Sequence, residues 1–345
     1  MKGIAILGST GSIGRQTLDV IRALNQEFRV VALAAGSNHK LLAEQVAEFR
    51  PKMVWAEGNF DTHDFDFECE FIPMENMVAD FEVDLVMVAT TGRVGLMPTL
   101  EAIRHGKVVA LANKEVIVMG GELLSKAANG SGSPILPVDS EPSAIWQCLR
   151  GEEQPVSKLI ITASGGPFRE MPLEKLANVK PEAALKHPTW VMGKKITVDS
   201  STLMNKGFEV IECHWLFQTP WEDIQVVVHP QSVIHSMVEF TDGSVKAQLG
   251  PPDMHLPIQY AITYPDRLEN DGLAKFNPIS HPQLTFEEMD SRRYPAFKTA
   301  VEAGMAGGTF PAVLSAADEE AVHLFLKGRI GFTDINNYVL DVLES

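Results

Sequence analysis

Apolar and polar positions alternate along the first 140 residues in two different rhythms. Continuous apolar runs at 4–7, 30–33, 53–55, 85–89, 108–111 and 135–138 are short and bounded by turn residues, as buried strands are. Between them, residues 13–24, 41–49 and 96–105 carry apolar side chains at helical spacing. Apolar strands separated by amphipathic helices predict a parallel sheet covered on both faces, a doubly wound, Rossmann-like α/β domain. From about residue 159 the pattern changes. Strand-like runs at 226–228, 233–240 and 244–249 follow, the last two flanking Thr241-Asp242-Gly243, an Asp-Gly hairpin signal. A central α+β domain with antiparallel pairing is expected there. After the Pro-rich loop 278–282, residues 296–303, 312–326 and 335–343 read as helices of a small C-terminal domain. The expected division is 1–142, 143–277 and 278–345.

Length and composition agree with several domains: 345 residues exceed one ordinary core, and 45% apolar with 21% charged residues is a globular balance. No apolar run approaches the roughly 18 residues of a bilayer span, and the chain enters its first strand without a signal-peptide pattern, so a cytoplasmic location and no membrane partner are expected. A net charge of −16 argues against a nucleic-acid surface. It also means that any phosphorylated ligand must meet a locally positive site. Cys69, Cys148 and Cys213 show no metal-type spacing and read as buried thiols.

The chemistry gathers at the ends of predicted strands. Gly8, Gly11 and Gly14 lie between the first strand and the first helix, in Gly8-Ser9-Thr10-Gly11-Ser12-Ile13-Gly14. Glycines there let the backbone approach a pyrophosphate whose charge meets the helix N-terminus. The second strand ends in Gly36-Ser37-Asn38-His39-Lys40 without the acid that holds an NAD ribose, so NADP is favoured over NAD. Asp139 and Glu141 follow the strand at 135–138; two apart in an extended segment, they can face one cation. Asp199 to Glu209 reads as a loop entering a helix on which Asn205, Lys206 and Glu209 share a face. Ser200, Asn205 and Lys206 then form a phosphate cradle, with Glu209 a third carboxylate. Oxygen-only ligands select Mg²⁺ or Mn²⁺. Ser164-Gly165-Gly166 offers either further phosphate donors or a plain glycine turn. Lys114 ends up at the same sheet edge, as a reactive group or as half of a surface ion pair. Segment 187–193, with His187, Trp190 and Gly193, is a closing lid or a packed loop.

Taken in order, these motifs, with Ala112-Asn113-Lys114-Glu115, Pro137-Val138-Asp139-Ser140-Glu141 and His229-Pro230-Gln231-Ser232, resemble those of 1-deoxy-D-xylulose 5-phosphate reductoisomerases. The resemblance implies conversion of 1-deoxy-D-xylulose 5-phosphate to 2-C-methyl-D-erythritol 4-phosphate with NADPH and a divalent metal, usually by a homodimer, in the non-mevalonate isoprenoid route. It implies NADPH contacts from Thr10, Gly11, Ser12, Ile13, Gly36, Ser37, Asn38, Asn113, Glu115 and Gly193, and metal ligation by Asp139, Glu141 and Glu209. Substrate would be held by Lys114, Ser140, Glu141, Ser164, His187, Trp190, Ser200, Asn205, Lys206 and Glu209, with Lys114, Glu141 and His187 as catalytic groups. The sequence departs from the family pattern at Ser37, often a basic residue, at Pro142, often His, and at His255, usually Arg. It also ends earlier than most members, which touches the expected last helix. Two other readings carry different chemistry. A semialdehyde dehydrogenase of the aspartate type needs a nucleophilic cysteine, and Cys148 sits in an apparent helix at 143–149. A non-catalytic NADP-sensing protein has no use for three carboxylates beside a phosphate cradle.

Overall fold

The computed structural model describes residues 1–58, 60–62 and 65–345, which divide into two compact units. The first comprises Met1–Val116, Gly120–Ser143 and Met254–Leu273; the second comprises Ile117–Met119, Ala144–Asp253 and Ala274–Ser345. The chain leaves the first unit after Ser143, and 254–273 return to it. The C-terminal helices are present but share the second unit with 144–253 instead of standing apart.

Up to residue 149 the chain runs β1 (Lys2–Leu7), α1 (Ser12–Ala23), β2 (Phe28–Ala35), α2 (His39–Phe49), β3 (Met53–Ala56), β4 (Glu70–Phe71), α3 (Met74–Ala79), β5 (Leu85–Val88), α4 (Leu96–Arg104), β6 (Val108–Leu111), α5 (Lys114–Ser131), β7 (Ile135–Pro137) and α6 (Ser140–Leu149). The seven strands make one sheet in the order β4-β3-β2-β1-β5-β6-β7, parallel throughout. The chain starts in the middle, winds to one edge, then returns to build the other side from β5. The order therefore reverses between β1 and β5, and the glycine loop leaves β1 at that switch point, where open α/β sheets bind ligands. Strand β5 is buried from end to end and β1 from Gly3 onward, which is why both read as apolar runs without alternation.

The rest runs β8 (Val156–Ala163), α7 (Pro181–Ala184), α8 (Lys194–Thr202), α9 (Met204–Phe217), β9 (Ile224–Val228), β10 (Ile234–Phe240), β11 (Val245–Leu249), α10 (His255–Thr263), β12 (Glu287–Glu288), α11 (Pro295–Ala306), α12 (Phe310–Leu326) and α13 (Asp334–Leu343). Helix α10 belongs to the first unit, packed on α1. The second sheet has the order β11-β10-β8-β9-β12, with β8 and β9 parallel and the other pairs antiparallel. The hairpin between β10 and β11 turns at Gly243 (φ 84°), and Asp242 Oδ1 accepts from Ser244 N at 2.9 Å. One core explains why the C-terminal helices do not separate. Phe208 and Ile211 of α9 and Val198 of α8 are buried together with Leu314 and Phe325 of α12 and Ile335 of α13. Among the described residues, no helix is long and apolar enough to cross a membrane.

Candidate active site

In the first unit, the glycine loop is built by close backbone approach. Gly8 has φ 92°, and a side chain there would meet the carbonyl oxygen of Ala89 at 2.3 Å; one on Gly14 would lie 2.2 Å from the carbonyl of Gly8. These two glycines pack β1, the β5 end and α1 together. Gly11 is the N-cap of α1 and its side chain-free position offers no capping group, so the first amides of the helix are left to an outside acceptor. Thr10, Gly11, Ser12 and Ile13 are half-buried or exposed around that end. At the end of β2, Gly36, Ser37 and Lys40 are exposed. Asn38 Oδ1 accepts from Leu41 N at 3.3 Å, capping α2, and His39 Nε2 bonds to the Glu57 carbonyl at 2.8 Å. Asn113 is buried and works for the protein: its amide donates to Thr90 Oγ1 at 3.0 Å and Gly92 O at 2.9 Å, while its oxygen accepts from Val116 N. Glu115 follows, half-buried, in the first turn of α5.

Lys114 opens α5 and is only 5% exposed, with Nζ 2.7 Å from Asp139 Oδ2. Asp139 and Glu141 are not in the extended segment expected for them. Helix α6 begins at Ser140, so Asp139 precedes its first turn and Glu141 lies within it. Pro142 does not delay the helix, because the first-turn amides have no intrahelical partner to lose. Asp139 Oδ1 accepts from Ser140 N at 3.1 Å, and Ser140 Oγ donates to Glu141 Oε2 at 2.5 Å. Both carboxylates are thus fixed at a helix N-terminus, whose dipole favours negative charge.

In the second unit, two serine side chains meet at one imidazole. His187 Nε2 lies 3.1 Å from Ser164 Oγ and 3.0 Å from Ser200 Oγ. Its Nδ1 accepts the amides of Trp190 at 2.9 Å and Thr189 at 3.2 Å, which places the ring proton on Nε2. That N–H is directed at the serine oxygens, so each hydroxyl keeps its own proton for an anion. Ser164 follows β8 and is held by a bond from Gly166 N to its Oγ at 3.1 Å. Asp199 and Ser200 lie in the last turns of α8, not in the loop expected for them. Ser201 Oγ and Thr202 Oγ1 bond to carbonyls of their own helix, satisfying groups that would otherwise favour a loop. Leu203, with φ 56°, breaks α8 from α9. On α9 the expected face forms: Asn205 Nδ2 donates to Glu209 Oε1 at 2.6 Å, and Lys206 Nζ pairs with Glu209 Oε2. Lys206 and Glu209 are buried. Gly207 brings α9 onto α11, since a side chain there would sit 2.4 Å from Ala300 Cβ.

The segment 187–193 is irregular, with Val191 wholly exposed. Trp190 rests near His235, ring centres 5.9 Å apart, and Thr189 Oγ1 bonds to Ser232 Oγ at 3.4 Å. Gly193 is the N-cap of α8. Four partners in these interactions escaped the sequence reading. Lys195 Nζ lies 2.7 Å from both Asp199 Oδ2 and Asp318 Oδ2. Its i,i+4 spacing to Asp199 was a visible signal; Asp318 on α12 was not. Arg293 and Tyr294, before α11, bond to the segment after Ser164. Cys148 is buried, and burial pushes its thiol up to about 11, the reverse of an activated nucleophile.

The sequence matches three family models: 1-deoxy-D-xylulose 5-phosphate reductoisomerase over residues 4–121, and two C-terminal domain models of that enzyme over 135–217 and 249–345. A reductoisomerase of that name from Pelotomaculum thermopropionicum is 54% identical, the match covering 100% of this chain and 92% of the relative. The chain belongs to the 1-deoxy-D-xylulose 5-phosphate reductoisomerase family. The reductoisomerase from Chlorobaculum tepidum is 51% identical, with 100% and 93% covered. Among solved structures, DOX-P reductoisomerase in complex with NADPH, fosmidomycin and magnesium superposes with a TM-score of 0.94 at 37% identity, covering 100% of this chain and 90% of that one. The Zymomonas mobilis reductoisomerase in complex with NADPH gives 0.91 at 42% identity, covering 99% and 91%. Family membership and an inert Cys148 together remove the semialdehyde dehydrogenase reading.

Proposed function

We propose that this reductoisomerase family member rearranges and reduces 1-deoxy-D-xylulose 5-phosphate to 2-C-methyl-D-erythritol 4-phosphate, using NADPH and Mg²⁺ or Mn²⁺, in non-mevalonate isoprenoid biosynthesis. The carrying observation is the Ser164–His187–Ser200 cluster, with Asn205 and Lys206 following on α9, because it is an anion site inside a molecule of net charge −16. The His187 proton orients both serine hydroxyls as donors, Asn205 adds an amide and Lys206 the positive charge. Phosphate held there fixes the substrate by binding energy remote from the reacting carbons.

We assign NADPH to residues 1–142, with the pyrophosphate at Thr10, Gly11, Ser12 and Ile13 and the 2′-phosphate at Gly36, Ser37 and Asn38. Asn113 acts there by shaping the loop and Glu115 by contact, and Gly193, outside that span, adds a further contact. Residues 144–253 supply most of the substrate groups, and the helices within 278–345 pack behind α8 and α9. Asp139, Glu141 and Glu209 fit a hard cation: each is an oxygen donor, and each is already oriented by a hydrogen bond or lysine within its own unit. A bound divalent ion supplies Lewis acidity towards a ketone and the adjacent hydroxyl. Lys114 and Glu141 hold and move protons at those oxygens, Ser140 keeps Glu141 oriented, and Trp190 covers the site and excludes water. The reading extends to a homodimer in the cytoplasm. Its test is NADPH oxidation at 340 nm with 1-deoxy-D-xylulose 5-phosphate, with and without Mg²⁺ or Mn²⁺ and with NADH in parallel. Metal-dependent oxidation of NADPH, much faster than of NADH, is expected. A folded protein that binds NADPH yet turns over with no metal sinks the assignment.

A further inference from the structure

The loop after β8 has an unusual problem. Gly165 and Gly166 are both left-handed, with φ 81° and 65°, so no side chain of their own steers the backbone that presents Ser164. The steering comes from residues far along the chain. Tyr294 Oη donates to the Gly165 carbonyl at 2.7 Å. Arg293 Nη1 donates to the carbonyls of Phe168 at 3.0 Å and Met171 at 2.6 Å. Tyr294 is 2% exposed and shares a buried cluster with Ala163, the last residue of β8, and Leu203, the left-handed break between α8 and α9. Those two residues flank the arms that carry Ser164 on one side and Ser200 and Asn205 on the other. One aromatic ring thus sits where the two arms meet, and its hydroxyl fixes the carbonyl orientation of the first glycine.

We propose that Tyr294 and Arg293 are positioning residues for the phosphate-binding loop, setting affinity for the phosphate end of the substrate without touching it. The inference rests on the functional reading above. The hydroxyl serves this role across the working pH range, since burial pushes the Tyr294 phenol up to about 12. Removing it leaves the buried Gly165 carbonyl without that donor and lets the glycine pair relax.

The test is Tyr294→Phe in the full chain, with the substrate and inorganic phosphate as probes. Loss of one buried hydrogen bond from the loop predicts a roughly tenfold rise in KM for the sugar phosphate and a parallel rise in the inhibition constant for inorganic phosphate. The kcat should stay within about twofold, with the KM for NADPH unchanged, because uniform binding is what is lost. A purely structural role would instead lower thermal stability and the active fraction at constant KM, and that result overturns the proposal. Arg293→Lys, whose single ammonium cannot reproduce the guanidinium geometry, should raise both constants about threefold, and decides the matter should the phenylalanine variant not fold. Unchanged constants in a folded variant also overturn it. Wild-type protein that binds phosphate in a calorimetric titration but shows no turnover would defeat the functional reading alone, leaving phosphate affinity in the two variants to decide the inference. Wild-type protein that binds no phosphate overturns the inference.

Discussion

Gly166→Ala offers a sharp test of how the loop that presents Ser164 is built. Gly166 is buried with φ 65°, and a methyl group on it would lie 2.8 Å from the Ser200 carbonyl oxygen, 3.0 Å from Ser201 Cα and 3.2 Å from the Ser200 carbonyl carbon. All three are backbone atoms of α8, which cannot rotate away as a side chain could. Two costs add: about 1–2 kcal/mol for a non-glycine residue in the left-handed region, and about 1–3 kcal/mol for forcing a methyl group into packed structure. A loss of about 2–5 kcal/mol is therefore expected. Gly165→Ala is the control, because φ there is 81° and its nearest neighbours are the Arg169 side chain at 2.8 and 3.0 Å and Val228 Cγ1 at 3.2 Å. Arg169 can swing aside, so that variant should lose chiefly the conformational cost, about 1–2 kcal/mol. Urea unfolding of the two variants against wild type measures both. The displaced loop should also part Ser164 from His187, raising KM for the phosphorylated substrate in Gly166→Ala. Equal stability losses, or a Gly166→Ala loss below about 1 kcal/mol, would refute the account of a glycine required by the approach of the loop to Ser200.

Two further expectations concern buried charge and pH. Lys195→Met takes the ammonium from between Asp199 and Asp318, which are 2% and 0% exposed at their side chains, and removes its contact with the Phe208 ring at 4.9 Å. Lys195 is itself 26% exposed, which places the loss near the lower end of the range for a broken buried pair, about 3 kcal/mol; a double-mutant cycle with Asp318→Asn should show coupling, and strict additivity would count against the ion pair. His229 is held neutral: burial lowers its pKa below the usual 6.5, Nδ1 donates to the Thr285 carbonyl at 2.9 Å, and Nε2 accepts from the amides of Val233 and Ile234. Its folded-state pKa is the lower one, so the unfolded chain binds the extra proton first. Stability from this group is present above about pH 6.5 and is lost as pH falls from there through the folded value. His229→Gln should flatten that part of the stability profile, measured by urea midpoints between pH 7 and 5, and an identical slope in both proteins would refute it.

The sheet of the first unit was legible because its strands are buried on both faces and read as apolar runs, with the glycine loop at the switch point following from strand order. The hairpin at Asp242-Gly243 was legible from its turn chemistry. What misled were two helix ends. Pro142 and the Ser200–Thr202 hydroxyls look like helix-breaking signals, yet each is compatible with the position it holds: proline in a first turn, and hydroxyls bonded back to carbonyls of a buried last turn. The charge arrangement shows the same limit. Glu209 pairs with Lys206 at helical spacing, which sequence alone displays, whereas Asp139 pairs with Lys114 across two neighbouring strands of the sheet, which only the parallel register of β6 and β7 brings together. Both pairs obey one requirement. In a chain of net charge −16, a carboxylate drawn away from solvent needs a cation beside it, and here a lysine supplies it from within the same unit. Those lysines therefore hold the two carboxylates in place from within their own units.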